Sequence, residues 1–357
     1  MSGAEVAVIG AGPAGCAAAI ALSRAGRRVL LLERAAAARE SVCGEFLGPD
    51  AAAALARLGL DLPALGAVPL HRLRLGAGGR EATAALPFPA WALPRRILDG
   101  ALREAARAVG ADLRQGVTVL GAEAASGHWR LRLAQGEANA RRLVLATGKH
   151  GLRGHPRQGA PPGALGLKLH LHGLAPEGEV VLLPFPGGYA GLLPLPGGGA
   201  NLCAALMDPP GEAARQAPAL LERVAAGSAL AAHLLAGARP AWDRPVAIAG
   251  VPYGFRHQGP DDGPYRVGDQ AAVIPSFTGE GVAMALLSGL AAAEAILAEE
   301  PAARFHAAWQ RRIAGPMRWA GAAGGLLGRA PRLLAAMVAA SPEAARLVAR
   351  RTRLSRC

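Results

Sequence analysis

The sequence predicts an α/β fold: a parallel-stranded domain, an inserted antiparallel sheet and a helical C-terminal region. Three observations predict it. An apolar run, EVAVIG at residues 5–10, leads into the turn Gly10-Ala11-Gly12-Pro13-Ala14-Gly15, a helical pattern and a second apolar run. Residues 163–207 carry several strand-like runs (LGLKLHLHG, EVVLLPF, YAGLLPL, ANLCAALM) separated by Pro and Gly turns. Residues 301–357 read as helix, interrupted at Pro316, Pro331 and Pro342.

The first unit carries a recognisable chemistry. Strand 5–10 meets Gly10, which permits a tight turn; Gly12 lets backbone approach a pyrophosphate, and Gly15 lets the helix pack on the strand. Pro13 and Ala14 belong to this turn and to its expected cofactor contacts; the helix pattern CAAAIALSRAG follows, its free N–H groups and positive dipole end suit phosphate, and Gly26 is its expected C-terminal cap. The second strand, RVLLLE, closes on Glu33, eighteen residues after Gly15 and placed to accept hydrogen bonds from a ribose diol, with Arg34 beside it. Strand, turn, helix, strand and terminal carboxylate in this order predict dinucleotide binding. A second glycine-rich unit of this kind is missing: GAGGRE (76–81) and LPGGGAN (195–201) lie between strand-like runs and read as hairpin turns.

A chain of 357 residues with 52% hydrophobic content suffices for two domains. No run of eighteen apolar residues occurs, and the N-terminus goes straight into a strand without signal-peptide features, so a cytoplasmic enzyme is expected. Four scattered cysteines (Cys16, Cys43, Cys203, Cys357) offer neither a metal motif nor a disulfide framework, and no metal is expected. The net charge of +13 rests on 37 arginines and only two lysines, Lys149 and Lys168. Residues 304–357 hold eleven arginines and one Glu, and no nucleic-acid motif accompanies them.

Two later segments complete the cofactor reading. Residues 142–148, RLVLATG, are a strand ending in Thr147-Gly148; residues 265–289 run from a strand through Gly268-Asp269, Pro275 and Gly279-Glu280-Gly281-Val282 into a long helix. Together with the first motif, these segments resemble the flavoprotein aromatic hydroxylase (group A monooxygenase) and geranylgeranyl reductase superfamily. The resemblance implies a Rossmann-like (GR2-type) FAD-binding domain with an inserted antiparallel β-sheet substrate domain. It implies that Asp269 contacts the flavin ribityl chain, and that Gly279 to Val282 aim a helix N-terminus at the flavin, where negative charge develops on reduction. In WALPRRILDGALREAARAVGADL (91–113) it implies that Arg95, four residues before Asp99, reaches FAD, with Arg96 its neighbour. Val119, Cys43 and Gly44 join the implied cofactor contacts.

On this reading the FAD domain is 1–70, 95–150 and 248–300, the substrate domain 71–94 and 151–247, and the tail 301–357; residues 210–236 read as an Ala-rich helical stretch. In LKLHLHG strict alternation puts Lys168, His170 and His172 on one face, which either faces substrate and flavin or is a solvated face. Tyr189 lies where the family approaches its substrate cavity, and His150 reads equally as a loop residue. In SVCGEFLGPD (41–50), Cys43 is either packing near the flavin ring or a redox residue, and Glu45 a proton donor or an Arg partner. The tail residues Leu326, Leu327, Leu333, Leu334, Met337 and Val338, flanked by arginines, either lie on a membrane surface or cover a lipophilic substrate, or the tail packs on the body with its arginines solvated.

The resemblance further implies an FAD-dependent oxidoreductase of a small lipophilic substrate, taking electrons from NAD(P)H as a transient donor. The leading expectation is hydroxylation, through a flavin hydroperoxide and O2, of a lipophilic aromatic or polyketide-type secondary metabolite. Reduction of an isoprenoid or other alkene is the close second, supported by the Cys43-Gly44 pair that resembles the geranylgeranyl reductases. Gln270 departs from the Gly-Asp-Ala-Ala hydroxylase pattern, isolated tryptophans lack the halogenase W-x-W-x-I-P run, and the cysteines cannot supply the iron–sulfur cluster of electron-transfer relatives.

Overall fold

The computed structural model describes residues 3–174, 176–208, 216–258 and 263–354. Its first sheet is centred on β1 (Ala4–Ile9), which pairs in parallel with β2 (Val29–Glu33) on one side and β9 (Glu137–Leu145) on the other. Both neighbours and both faces of β1 are covered, which explains its unbroken apolar run. β6 (Asp112–Gln115) extends the parallel sheet beyond β2, and β16 (Tyr265–Arg266) pairs in parallel with the end of β9. The hairpin of β7 (Val119–Ala125) and β8 (His128–Leu133) is added antiparallel to the start of β9.

Helices α1 (Pro13–Arg24), α3 (Arg95–Ala108) and α6 (Gly281–Leu297) pack together with this sheet. Small residues let α1 and α6 approach closely: a Cβ on Gly289 would lie 2.2 Å from the carbonyl oxygen of Ala14. The short α2 (Pro49–Arg57) packs beside α6.

The second sheet runs in the order β14 (Arg239–Pro240), β10 (Ala164–His172), β13 (Ala200–Leu206), β12 (Gly188–Pro194), β11 (Glu179–Phe185), β4 (Val68–Ala77), β5 (Arg80–Ala92), β3 (Phe46–Leu47), with β15 (Val246–Val251) also on β10. GAGGRE and LPGGGAN are the β4–β5 and β12–β13 turns, as expected; Gly197, Gly198 and Gly199 all adopt positive φ in the latter. The expected antiparallel sheet is in fact mixed, because β4 and β11 pair in parallel. A long connection rather than a hairpin joins them, and such a crossover is what parallel neighbours require. β3 brings residues 46–47 from the first segment into this sheet, and β15 does the same for 246–251.

One face of the second sheet packs Leu167, Leu169 and Leu171 against α4 (Ala217–Ala225) and α5 (Ala229–Leu235). The Ala-rich stretch expected at 210–236 is therefore two helices separated at Gly227; its residues 209–215 lie outside the described residues.

The tail is α7 (Ala302–Arg329), α8 (Pro331–Ala340) and α9 (Pro342–Arg351). Pro331 and Pro342 open helices, where the missing N–H is harmless. Pro316 does not interrupt the tail; it lies inside α7. Ile313, Met317 and Ala320 on either side of it are buried in the first core, and that packing holds the helix through the lost hydrogen bond. Beyond Ala320, α7 leaves this core, and Leu327, Ala335 and Val338 pack with residues of β4, β5 and β12. No helix among the described residues is long and apolar enough to cross a membrane.

Candidate functional site

A single cavity of about 840 Å³ runs from the Gly10–Ala14 turn to the inner side of the tail, near the upper end of ligand-pocket sizes. At the turn, the glycines divide into two kinds. A Cβ on Gly10 would meet the Ala146 carbonyl at 2.4 Å, and one on Gly15 would meet the Gly10 carbonyl at 1.8 Å. These two serve packing. A Cβ on Gly12 would find nothing nearer than Arg95 Nη2 at 3.9 Å, so its backbone faces the cavity. Gly12 is also the N-cap of α1 without a side-chain cap, which leaves the first amides open to an anion.

Glu33, at the end of β2, accepts the Ala11 N–H at 2.8 Å through Oε2 and the Ala35 N–H at 2.9 Å through Oε1. The carboxylate is thereby held at the cavity wall with lone pairs to spare for a hydroxyl. Arg103 on α3 donates from Nε to the Ala11 carbonyl at 3.1 Å and has Nη2 3.6 Å from Glu33. Its Nη1 is buried without a hydrogen-bond partner, and the residue lies on the cavity wall, a donor to spare for an acceptor such as a phosphate. Arg95 pairs Nε and Nη2 with the two oxygens of Asp99 at 2.9 Å and also lines the cavity, whereas Arg96 points away to Glu40 at 3.4 Å. Despite its burial, the Asp99 and Cys43 side chains raise the Arg95 pKa, so the guanidinium is permanently charged.

Asp269 lies on the wall with Lys149 3.3 Å from its Oδ2. Gln270, the departure from the hydroxylase pattern, donates from Nε2 to Thr147 Oγ1, Gly148 O and His150 O at 2.9, 2.8 and 2.7 Å. It ties the β9 end to the Gly268-Asp269 turn. Arg34 Nη2 lies 2.6 Å from His150 Nε2, and Val119, Thr147, Gly148 and Gly268 complete this stretch of wall. Gly279 (φ 71°) precedes α6; its Cβ would lie 2.4 Å from the Phe46 ring, so the chain passes only as glycine. Gly279, Gly281 and Val282 face the cavity at the N-terminal end of α6, while Pro275 stands behind the wall.

Cys43, Gly44 and Glu45 line the cavity next to these groups. Asn201 on β13, fully buried, donates Nδ2 to the carbonyls of both Cys43 and Gly44 at 3.1 Å. Glu45 adopts φ 65°, is 1% exposed, and accepts the Arg95 N–H at 2.7 Å and Lys168 Nζ at 2.5 Å on Oε1. Lys168 also reaches Glu40 at 2.5 Å, and His170 Nε2 faces Glu45 Oε2 at 3.7 Å. Burial alone would raise the Glu45 pKa; the facing His170 and the Lys168 ammonium outweigh it and hold the carboxyl below its ordinary range. Burial likewise opposes the Lys168 charge, but Glu45 and Glu40 raise its pKa.

The solvated-face reading of Lys168 is therefore corrected: it is 0% exposed, covered by the 40–45 segment. Neither Lys168 nor His170 is among the cavity-lining residues, while His172, at the strand end, is exposed. Glu40, Glu45 and His170 also lie close enough to share an ion, but the Lys168 ammonium already sits between the two carboxylates.

The far part of the cavity is mostly apolar, with Thr352 and Arg353 of the tail also on the wall. Leu75, Leu182 and Leu193 of the second sheet face Leu327, Leu334 and Val338 of the tail, so the tail covers the chamber as well as packing on the body. Its polar feature is a chain of hydroxyls: Tyr253 Oη donates to Ser276 Oγ at 2.9 Å, and Ser276 Oγ lies 2.7 Å from Tyr189 Oη. Burial is the main cause that pushes both tyrosine hydroxyls well above their ordinary pKa. Sequence reasoning missed Arg103, Asn201, Tyr253, Ser276, Glu40 and Arg353. Arg103 sits two turns after Arg95 on the same helix, a spacing that could have found it; the others are brought in from distant strands and loops without a local signal.

Residues 3–151 match the sequence model of the FAD binding domain family. Over 158 residues the chain is 37% identical to menaquinone reductase of Mycobacterium tuberculosis, covering 41% of this chain and 38% of that protein. Over 57 residues it is 49% identical to squalene epoxidase erg1 of Aspergillus fumigatus, 16% of this chain and 12% of that one. The chain thus matches about two fifths or less of the length of these relatives. Among solved structures, the flavin-dependent brominase Bmp2 superposes with a TM-score of 0.80 at 19% identity over 98% of this chain and 93% of that one. The myxobacterial chondrochloren halogenase CndH superposes with 0.73 at 23% identity over 87% and 78%. At these identities the superpositions speak for the fold. The open helix N-terminus, the poised Glu33 and the orphan Arg103 donor fit FAD, in keeping with the FAD binding domain matched over residues 3–151 and with the fold shared with these flavin-dependent structures.

Proposed function

We propose that the chain saturates a carbon–carbon double bond of a lipophilic, isoprenoid-type compound, with Tyr189 as the proton donor. The observation that carries this reading is the Tyr253–Ser276–Tyr189 chain in a mostly apolar chamber. When bound and reduced, FAD supplies the hydride equivalent such a reaction needs. Ser276 accepts from Tyr253 and so turns its own hydrogen toward Tyr189, which frees the Tyr189 hydroxyl hydrogen for the substrate carbon opposite the one that takes the hydride. Tyr189 Oη then takes the Ser276 hydrogen, Ser276 takes that of Tyr253, and Tyr253, at the more exposed end of the chain, regains a proton from water. Raised pKa values keep both tyrosines protonated at neutral pH, as donors rather than bases.

Hydroxylation of a phenol is supported less well. The carboxylates and histidine of the wall (Glu33, Glu45, Asp99, His150, Asp269) all belong to the cofactor-side segments, and the second sheet and tail bring no side chain suited to deprotonate a phenol among the described residues. The likeness to menaquinone reductase agrees with a reductase, and the absence of a second dinucleotide motif agrees with NAD(P)H as a passing donor. A second reading, oxygenation of the same class of lipophilic substrate, draws support from the short likeness to squalene epoxidase, since epoxidation needs no phenol base. The test is anaerobic incubation of the chemically reduced holoprotein with a polyprenyl quinone. A mass gain of H2 in the prenyl chain is expected. Loss of that product, with an oxygen atom incorporated once air is admitted, would replace reduction by oxygenation.

A further inference from the structure

Six large apolar side chains stay exposed among the described residues, and four of them lie on α7–α9: Trp319, Leu333, Met337 and Leu347. Trp319 (39% exposed) and Met337 (45%) also line the cavity, so this exposed apolar surface is the rim of its mouth. Leu333 and Met337, four residues apart, share one face of α8; Leu347 shares a face of α9 with Arg350 and Arg351. Arg351 stacks over the Trp319 ring at 5.9 Å, which joins that face to α7.

The charge on this surface is one-sided. The ion pairs within these helices and to their neighbours involve Arg304, Arg346 and Arg353. Arg318, Arg329, Arg332, Arg350 and Arg351 are exposed, and none has a carboxylate within 4.0 Å among the described residues. Unneutralised guanidinium groups around exposed Trp, Leu and Met are what an anionic bilayer surface complements, charge to headgroups and apolar side chains to the acyl boundary. A second copy of the chain would set these like charges against each other. A nucleic acid would leave Leu333 and Leu347 wet.

We infer that α7–α9 dock the protein on an anionic phospholipid bilayer, with the chamber mouth turned toward the lipid. Docking follows from the surface alone; its use, loading a lipophilic substrate directly from the bilayer, rests on the function proposed above. The experiment is co-sedimentation of the holoprotein with phosphatidylcholine vesicles with and without phosphatidylglycerol. Binding to the anionic vesicles only is expected, released at about 1 M salt, where the Debye length falls to about 3 Å. Arg329→Gln and Arg350→Gln should each weaken binding about fivefold, the equivalent of ~1 kcal/mol per arginine near such a surface. Leu333→Gln with Leu347→Gln should weaken it further while FAD content stays unchanged, since neither side chain lines the cavity.

Equal binding to both vesicle types, or to neither, overturns the proposal. So does tighter binding to a DNA duplex that ignores the Leu333→Gln and Leu347→Gln changes, or a doubled solution mass that those changes abolish. Vesicle binding without alkene reduction would sink the proposed reaction and leave docking intact; reduction of a detergent-solubilised substrate without vesicle binding would do the reverse.

Discussion

Lys168 Nζ lies 2.5 Å from Glu45 Oε1 where neither side chain is more than 1% exposed, and this pair fastens the second sheet beneath the cofactor-side loop. Removing one partner leaves a buried charge. Lys168→Met should therefore cost about 3–5 kcal/mol of stability, whereas adding Glu45→Gln to it should recover part of the loss. Chemical denaturation of the two variants checks this, with equal stability of single and double variants as the contrary result.

The same pair has a pH window. The Glu45 pKa is lowered in the fold, so its contribution is present above the unfolded carboxyl value and is lost as pH falls through the lower folded value. The Lys168 pKa is raised, so its contribution is complete below the unfolded lysine value and is lost as pH rises through the higher folded one. Both are in force between about pH 5 and pH 10. The stability that Lys168→Met removes should thus be flat across that window and shrink on its acid side, as a denaturation series over pH would record.

Gly12→Ala and Gly15→Ala should separate cofactor binding from folding. Gly12 has room for a methyl group, so the variant should fold at near wild-type stability and lose FAD affinity by about tenfold or more, ~1.4 kcal/mol. Gly15→Ala forces a methyl group into the Gly10 carbonyl and should lower the melting temperature even of the apoprotein. FAD titration by fluorescence and thermal melts of the apoproteins give the two readouts.

Tyr189→Phe keeps the ring that packs edge-on against Phe277 and removes the hydroxyl. Product formation should fall by about 10²–10⁴-fold with FAD binding intact. Because burial raises the Tyr189 pKa, wild-type activity should not decline from loss of this proton until pH exceeds the ordinary tyrosine value of about 10. A basic limb near neutrality that disappears in Tyr189→Phe would contradict the assignment.

Asn201→Ala removes the donor shared by the Cys43 and Gly44 carbonyls and should cost about 1–3 kcal/mol. A shift of the bound flavin absorbance would show that the loop moves against the cofactor. Cys43→Ser should leave turnover unchanged if the thiol only packs; a large fall in turnover with unchanged FAD content would assign it a redox role.

Arg353 contacts Glu280 at the start of α6, and its guanidinium lies 4.2 Å from the Phe88 ring, so the end of the tail is latched beside the cofactor turn. Arg353→Leu leaves Glu280 buried without its cation. The tail helices should become protease-sensitive before the first domain does, and limited proteolysis followed by mass spectrometry would register the order of cleavage.

By itself the sequence determined the cofactor half of this protein. Gly10, Gly12, Gly15 and Glu33 sit within one βαβ unit, where steric limits on a turn and the reach of one carboxylate are written locally. The two glycine-rich hairpins and the Gly279 turn were legible for the same reason. The tertiary structure alone decided what covers each face. Alternation in LKLHLHG put Lys168 and His170 together, yet period-two patterning cannot say whether water or another segment lies over them; Glu45, 123 residues away in sequence, does. The parallel β4–β11 pairing, the Asn201 clamp and the Tyr253–Ser276–Tyr189 chain arise between strands and loops distant along the chain. Pro316 was a break by local rule and a helix interior in fact, because the burial of Ile313 and Met317 outweighs one lost hydrogen bond. Local chemistry selects turns and the βαβ unit, whereas burial, and with it the charge state and partners of Lys168, Glu45 and the tyrosines, is a property of the packed whole.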